Sequence, residues 1–131
     1  MAAAAEEDRS IESKDDLVAY IAAGEKPASA FRIGTEHEKF VYRRHDLRPL
    51  EYEGAGGIRW LLERFAERFS WQVKREGGLP VALEREKASI TLEPGGQFEL
   101  SGAPLATLHD TCREANQHLA EVKAITEPAG I

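Results

Sequence analysis

Two acidic segments, roughly fifty residues apart, hold the side chains in this chain best suited to chemistry. The first runs Ile33-Gly34-Thr35-Glu36-His37-Glu38-Lys39-Phe40, the second Ile90-Thr91-Leu92-Glu93-Pro94-Gly95-Gly96-Gln97-Phe98-Glu99-Leu100. Both read as β-structure, in which side chains two apart share a face. Glu36 and Glu38 then share one face, continued by Phe40, while Thr35, His37 and Lys39 take the other. Gln97 and Glu99 share a face, and Glu93 stands just before the turn. If the two segments are neighbours in a sheet, three or four carboxylates converge. Like charges that close repel by several kcal/mol at low effective dielectric. A divalent cation removes that penalty, and glutamate oxygens suit magnesium or manganese better than zinc. A lone Glu-x-Glu is most often only a solvated strand face. Two such segments, each flanked by glycine and apolar residues, shift the balance toward a site.

The remaining candidates carry less. His37 points away from the glutamates in a regular strand and reads as a surface or supporting residue, not a ligand. His45, His109 and His118 show no metal-ligand spacing, and His109 and His118 fall on different sides of the last helix. Cys112 lies on an apolar stripe, where packing is its role. Gly54-Ala55-Gly56-Gly57 ahead of a helix could cradle a phosphate, but lacks the Gly-Lys-Ser/Thr ending that would make the signal specific. Arg43, Arg44 and Arg48 could hold an anion, although a solvated loop accounts for them more simply.

Several elements position these residues. Residues 1–12 are expected to be disordered. Ser13 with Asp16 resembles a capping box and predicts a helix from Lys14 to Ala23, ended by Gly24 and Pro27. Phe31 to Tyr42 is expected to be a strand and Arg43 to Glu53 a polar loop. Ile58, Leu61, Leu62, Phe65 and Phe69 recur at helical spacing over Gly57 to Phe69. Trp71 to Arg75 and Leu79 to Glu84 predict a hairpin about Gly77-Gly78. Strands Ala88 to Glu93 and Gln97 to Ser101 flank Pro94-Gly95-Gly96. Thr107 with Asp110 caps a long final helix, whose expected buried stripe is Leu108, Cys112, Ala115, Leu119 and Val122, closed by Pro128 and Gly130. The order predicts an α+β fold, with a mostly antiparallel sheet carrying helices on one face.

At 131 residues the chain is long enough for a real core. Its net charge of −6 argues against nucleic acid and anionic membranes as partners. No apolar run approaches the roughly 18 residues of a membrane span. The start shows no secretory or transit-peptide character. The single cysteine fits a reducing compartment, so a cytoplasmic location is expected.

At the two acidic segments the chain resembles the glutamate–cysteine ligases of the plant and proteobacterial type. The likeness continues through Tyr52-Glu53-Gly54, Gly57-Ile58-Arg59, and the long block Ser89 to Leu105, then Leu108-His109, Thr111-Cys112, His118-Leu119 and Val122-Lys123. It covers residues 15 to 131, and its longest block is far more specific than a short motif. The resemblance implies a glutamine-synthetase-like curved sheet with the site on its concave face. It implies ligation of glutamate to cysteine with ATP, the first step of glutathione synthesis. The glutamate side chain attacks the γ-phosphate to give an acyl phosphate, which the cysteine amine displaces. Magnesium, with manganese as an alternative, would be held by Glu36, Glu38, Glu93 and Glu99. Glu36 and Glu38 are the implied catalytic residues, and Glu93, Gln97 and Glu99 the substrate and ATP-phosphate region. The implied partners are glutamate, cysteine and ATP.

The chain departs from the family in several places. Family members are about three times longer, so the chain is expected to be the N-terminal portion, residues 13–131, of one ligase domain. Arg85-Glu86-Lys87 stands where a glycine-bearing turn is expected, and Val41 replaces a small residue. With Cys112 alone, redox control by cysteine pairs cannot operate within this chain. A non-catalytic fragment or binding module, and a sister ligase using another amine, are the alternatives.

Overall fold

The computed structural model describes residues 10–131; residues 1–9 of the expected disordered stretch lie outside them. The chain divides into two units between Phe31 and Arg32. In the first, the Ser13 hydroxyl accepts from the Asp16 N–H at 3.2 Å, and the Asp16 carboxylate accepts from the Ser13 N–H at 2.9 Å. This reciprocal box starts α1 (Lys14–Ala22), one residue shorter than expected, because Ala23 is its cap. No residue of α1 is buried. A 3-10 turn, Ala28–Ala30, follows.

The second unit is an antiparallel sheet with helices on one face. Its strands are β1 (Glu36–His37), β2 (Gln72–Glu76), β3 (Leu79–Arg85), β4 (Ala88–Glu93) and β5 (Gln97–Ser101), in spatial order β1-β5-β4-β3-β2. The helices are α2 (Ile58–Phe69) and α3 (Leu108–Thr126). Register fixes the two faces. Leu83 pairs with Ile90, Ile90 with Leu100, and Leu92 with Phe98, so these side chains meet the helices. There they pack with Ile58, Leu61, Leu62, Phe65, Trp71 and Ile125 into one core. The intervening Thr91 pairs with Glu99, Glu93 with Gln97, and Ser89 with Ser101, so these lie on the opposite face. The α+β arrangement expected of the residue pattern is the one formed. Among the described residues no helix is long and apolar enough to cross a membrane.

Three expectations are corrected. The strand Phe31 to Tyr42 is paired as a strand only at Glu36–His37, with isolated bridges at Ile33↔Leu105 and Tyr42↔Pro49. Among the described residues its one sheet neighbour is β5, which turns back at Gly95-Gly96 beyond one end of the pairing. At the other end it leaves the ladder at Gly102-Ala103-Pro104, where proline has no N–H to give. The buried stripe of α3 is Thr111, His118, Glu121, Ile125 and Thr126, whereas Leu108 is 66% exposed. Cys112 is exposed and does not pack in the core. Within this stripe the threonine hydroxyls donate to carbonyls of their own helix, Thr111 to Leu108 at 2.8 Å and Thr126 to Val122 at 2.9 Å, while Glu121 draws on partners from other elements as well. Glu121 accepts from the Arg85 guanidinium at 2.9 Å, the Gln117 amide at 2.9 Å and the Trp71 indole N–H at 3.4 Å.

Candidate active site

The face of the sheet opposite the helices carries the acidic residues. Glu36 pairs with Ser101, which sets β1 beside β5 and brings the first acidic segment to the second. Glu36, Glu38, Thr91, Glu93, Glu99 and Ser101 line one concavity of about 370 Å³. The Pro94-Gly95-Gly96 turn makes this convergence. Gly95 and Gly96 take φ of 80° and 76°, a left-handed conformation open to glycine, and return Glu99 to a position beside Thr91.

The carboxylates differ in setting. Glu99 is only 5% exposed and accepts from the Ser101 hydroxyl at 2.9 Å. The Glu93 carboxyl is held above its ordinary pKa. Its hydrogen bond with Glu99 is the largest cause, followed by the Glu99 charge, partial burial, and the charges of Glu38 and Glu36. Neighbouring carboxylates disfavour one another's charged form. Glu36 and Glu38 are exposed. Lys39 is the nearby cation. Burial lowers its pKa to about 8 against the opposing pull of Glu99, and its ammonium donates to the His37 carbonyl at 2.6 Å. Among the described residues no three His, Cys, Asp or Glu side chains already meet as a metal-binding group. The four glutamates share a cavity without converging on one point.

Gln97 faces the same side opposite Glu93, but lies outside the lining of the concavity. Thr91 and Ser101, two wall residues absent from the expected set, stand two positions from Glu93 and Glu99, so strand alternation already places them. His37 turns away from the glutamates as expected. It is half-buried toward α3, however, with its ring centroid 6.3 Å from that of His118. His118 is 1% exposed, and burial, with Lys39, His37 and Arg85 adding, lowers its pKa to about 3.

The glycine-rich entry to α2 makes no phosphate cradle. The N–H groups of Gly57, Ile58 and Arg59 already donate to the carbonyls of Gly54, Glu51 and Tyr52 at 3.1, 3.0 and 3.0 Å. Gly57 is required there, because a Cβ would lie 2.7 Å from the Glu51 and Glu53 carbonyl oxygens. Of the loop arginines, Arg43 donates to the Ala55 carbonyl at 3.4 Å, and Arg48 stands 3.8 Å from Asp46.

Comparison with known proteins bears on this site. Residues 32–131 match glutamate-cysteine ligase family 2 (GCS2). The chloroplastic glutamate–cysteine ligase of Nicotiana tabacum is 56% identical over 91% of this chain and 22% of its own length. That of Arabidopsis thaliana is 53% identical over the same shares. The chloroplastic glutamate–cysteine ligase A of Oryza sativa subsp. japonica is 54% identical over 91% of this chain and 24% of its own. The chain thus spans about a quarter or less of the length of these relatives. Their shared chloroplastic naming overturns the expectation of a cytoplasmic location. A lone cysteine points to a reducing compartment and does not separate cytosol from plastid. With the match running through both acidic segments and every strand of the sheet, the chain belongs to glutamate-cysteine ligase family 2.

Proposed function

We propose that this chain forms the carboxylate wall of a ligase site that joins the side chain of glutamate to cysteine with ATP, in a plastid. The observation that carries this reading is the gathering of Glu36, Glu38, Glu93 and Glu99, from two distant segments, in the lining of one cavity, where the carboxylate neighbours hold the Glu93 carboxyl above its ordinary pKa. An oxygen-only donor set with unbalanced negative charge fits magnesium or manganese. Bound there by Glu36, Glu38, Glu93 and Glu99, such an ion would neutralise ATP phosphate oxygens and favour attack at the γ-phosphate.

The chain's own residues divide the work. Glu99, buried and held by Ser101, is the fixed carboxylate. Glu93 stands beside it, its carboxyl held above the ordinary pKa by Glu99 and the other carboxylates. Glu36 and Glu38 are exposed, so rotamer changes can bring them toward the pair. The hydroxyls of Thr91 and Ser101 line the wall, where they can donate to substrate or phosphate oxygens. Gln97 can offer its amide at the turn end of the same face. No protein nucleophile is called for, because the substrate carboxylate attacks. The protein's part is positioning and charge balance.

A chimera tests this reading. The matched 119-residue block of the tobacco enzyme is replaced by that of this chain, and ATP-dependent phosphate release is measured with glutamate and cysteine. The chimera is expected to turn over, and Glu36→Ala or Glu99→Gln within it to lose at least about a hundredfold in kcat/KM, on the order of 2.7 kcal/mol of transition-state stabilisation. A Glu36→Ala chimera with unchanged turnover would overturn the assignment.

A further inference from the structure

The acidic strand is gripped from the side opposite its glutamates. β1 has two register positions on β5, and backbone hydrogen bonds from the Gly102 N–H to the Thr35 carbonyl and from the Phe98 N–H to the Lys39 carbonyl, at 2.7 and 2.8 Å, flank them. The alternate residues Thr35 and His37 face α3, which supplies two polar side chains beneath them. The Glu114 carboxylate accepts from the Ala103 N–H at 2.8 Å and faces the Thr35 hydroxyl at 3.5 Å. Thr35 in turn accepts, through its carbonyl, from the Gly102 N–H at 2.7 Å. This joint closes only around glycine. A Cβ on Gly102 would stand 2.3 Å from the Glu114 carboxylate and 2.7 Å from the Thr35 hydroxyl.

One turn further along α3, His118 lies under His37 and stacks on Phe98, with centroids 6.2 Å apart and planes 13° from parallel. Both ring nitrogens of His118, and Nδ1 of His37, are buried without a protein partner. A phenylalanine would fill the same space without that desolvation cost. A purely structural demand for packing therefore does not account for the histidine.

We infer that Glu114 is a positioning residue, through which α3 holds the Gly102-Ala103 backbone and with it Thr35, so that Glu36 and Glu38 present to the carboxylate cavity. The inference rests on the reading of that cavity as a cation-binding ligase site, and deepens it by naming what orients two of its ligands.

The test uses this chain with Mn²⁺ as the probe, and follows both Mn²⁺ affinity and amide hydrogen exchange. Glu114→Ala is expected to speed exchange across Glu36–Lys39 while β3 and β4 keep their protection. It should weaken Mn²⁺ binding by about tenfold or more, as loss of the groups that orient metal ligands generally does. Glu114→Gln, which keeps an acceptor for Ala103 and gains a donor for Thr35, is expected to restore both readouts. Thr35→Val preserves shape and removes the hydroxyl that faces Glu114, so it carries the test if Glu114→Ala fails to fold. Unchanged exchange at β1 in the variants would overturn the inference. So would unchanged Mn²⁺ affinity. Failure of the unaltered chain to bind Mn²⁺ would instead sink the cation-site reading, and the exchange measurement would still decide whether α3 holds β1.

Discussion

Glu93 is the residue on which the proposed chemistry turns. Its carboxyl holds a proton more tightly than an ordinary glutamate, because it shares a hydrogen bond with Glu99 and feels the charges around it. Below that raised pKa, a cation entering the cavity competes with the proton. Mn²⁺ affinity is therefore expected to fall as pH falls through the raised pKa of Glu93. Calorimetry in buffers of different ionisation enthalpy should show proton release on binding near that pH and none well above it. The linkage also has a sign in the metal-free chain. An acid whose folded pKa is raised binds more protons folded than unfolded, so its contribution to stability falls as pH rises through that pKa. Glu93→Gln is thus expected to raise the melting temperature of the metal-free protein at neutral pH while removing the proton release. Constant proton release in the variant would show that another group is responsible. At this scale the site was largely legible. Glu36, Glu38, Glu93 and Glu99 could be grouped because strand alternation and a Pro-Gly-Gly turn constrain their directions. The raised pKa of Glu93 was not legible, because it depends on a register between strands.

Among the elements, those bounded by strong local signals formed as the residues predict. The hairpin at Gly77-Gly78, the strands around Gly95-Gly96, and the caps at Ser13 and Thr107 all stand where expected. The buried stripe of α3 did not. Counting apolar residues favours Leu108 and Cys112, but Glu114, His118 and Glu121 turn inward to meet Ala103, His37, Trp71 and Arg85. Those partners are remote in sequence, so no local periodicity reveals them. The β3–β4 connection gives a test at this scale. Arg85-Glu86-Lys87 occupies a turn where glycine was expected, and Glu86 takes φ of 55°. A left-handed conformation costs a non-glycine residue about 1–2 kcal/mol, while glycine loses about 0.5–1 kcal/mol in chain entropy. Glu86→Gly is therefore expected to stabilise the chain by about 0.5–1 kcal/mol, read as a higher urea midpoint with an unchanged m-value. A lower midpoint would show that the Glu86 side chain supports the turn.

The second unit separates its work between two faces of one sheet. The helical face buries Leu83, Ile90, Phe98 and Leu100 against α2 and α3, while the other gathers carboxylates with few counter-charges. The apolar face supplies the folding energy that lets the opposite face carry groups costly to assemble. The β2 edge of the sheet is polar and charged through Gln72, Lys74, Arg75 and Glu76. Exposed apolar side chains occur around β1 instead, at Ile33, Phe40 and Tyr42. Family membership was readable from the resemblance of the long motif blocks, and the sheet's two faces from strand alternation. Compartment was not, because a reducing environment is common to cytosol and plastid.

The central claim is that carboxylates from two distant segments bind one divalent cation region on the open face of the sheet. Paramagnetic broadening of amide resonances by Mn²⁺ tests it most directly. A saturable titration is predicted to broaden Glu36, Glu38, Thr91, Glu93, Glu99 and Ser101 first, to spare the helical face around Leu62 and Phe65, and to be lost in Glu99→Gln. Broadening centred elsewhere, or a pattern unchanged by that substitution, would contradict it.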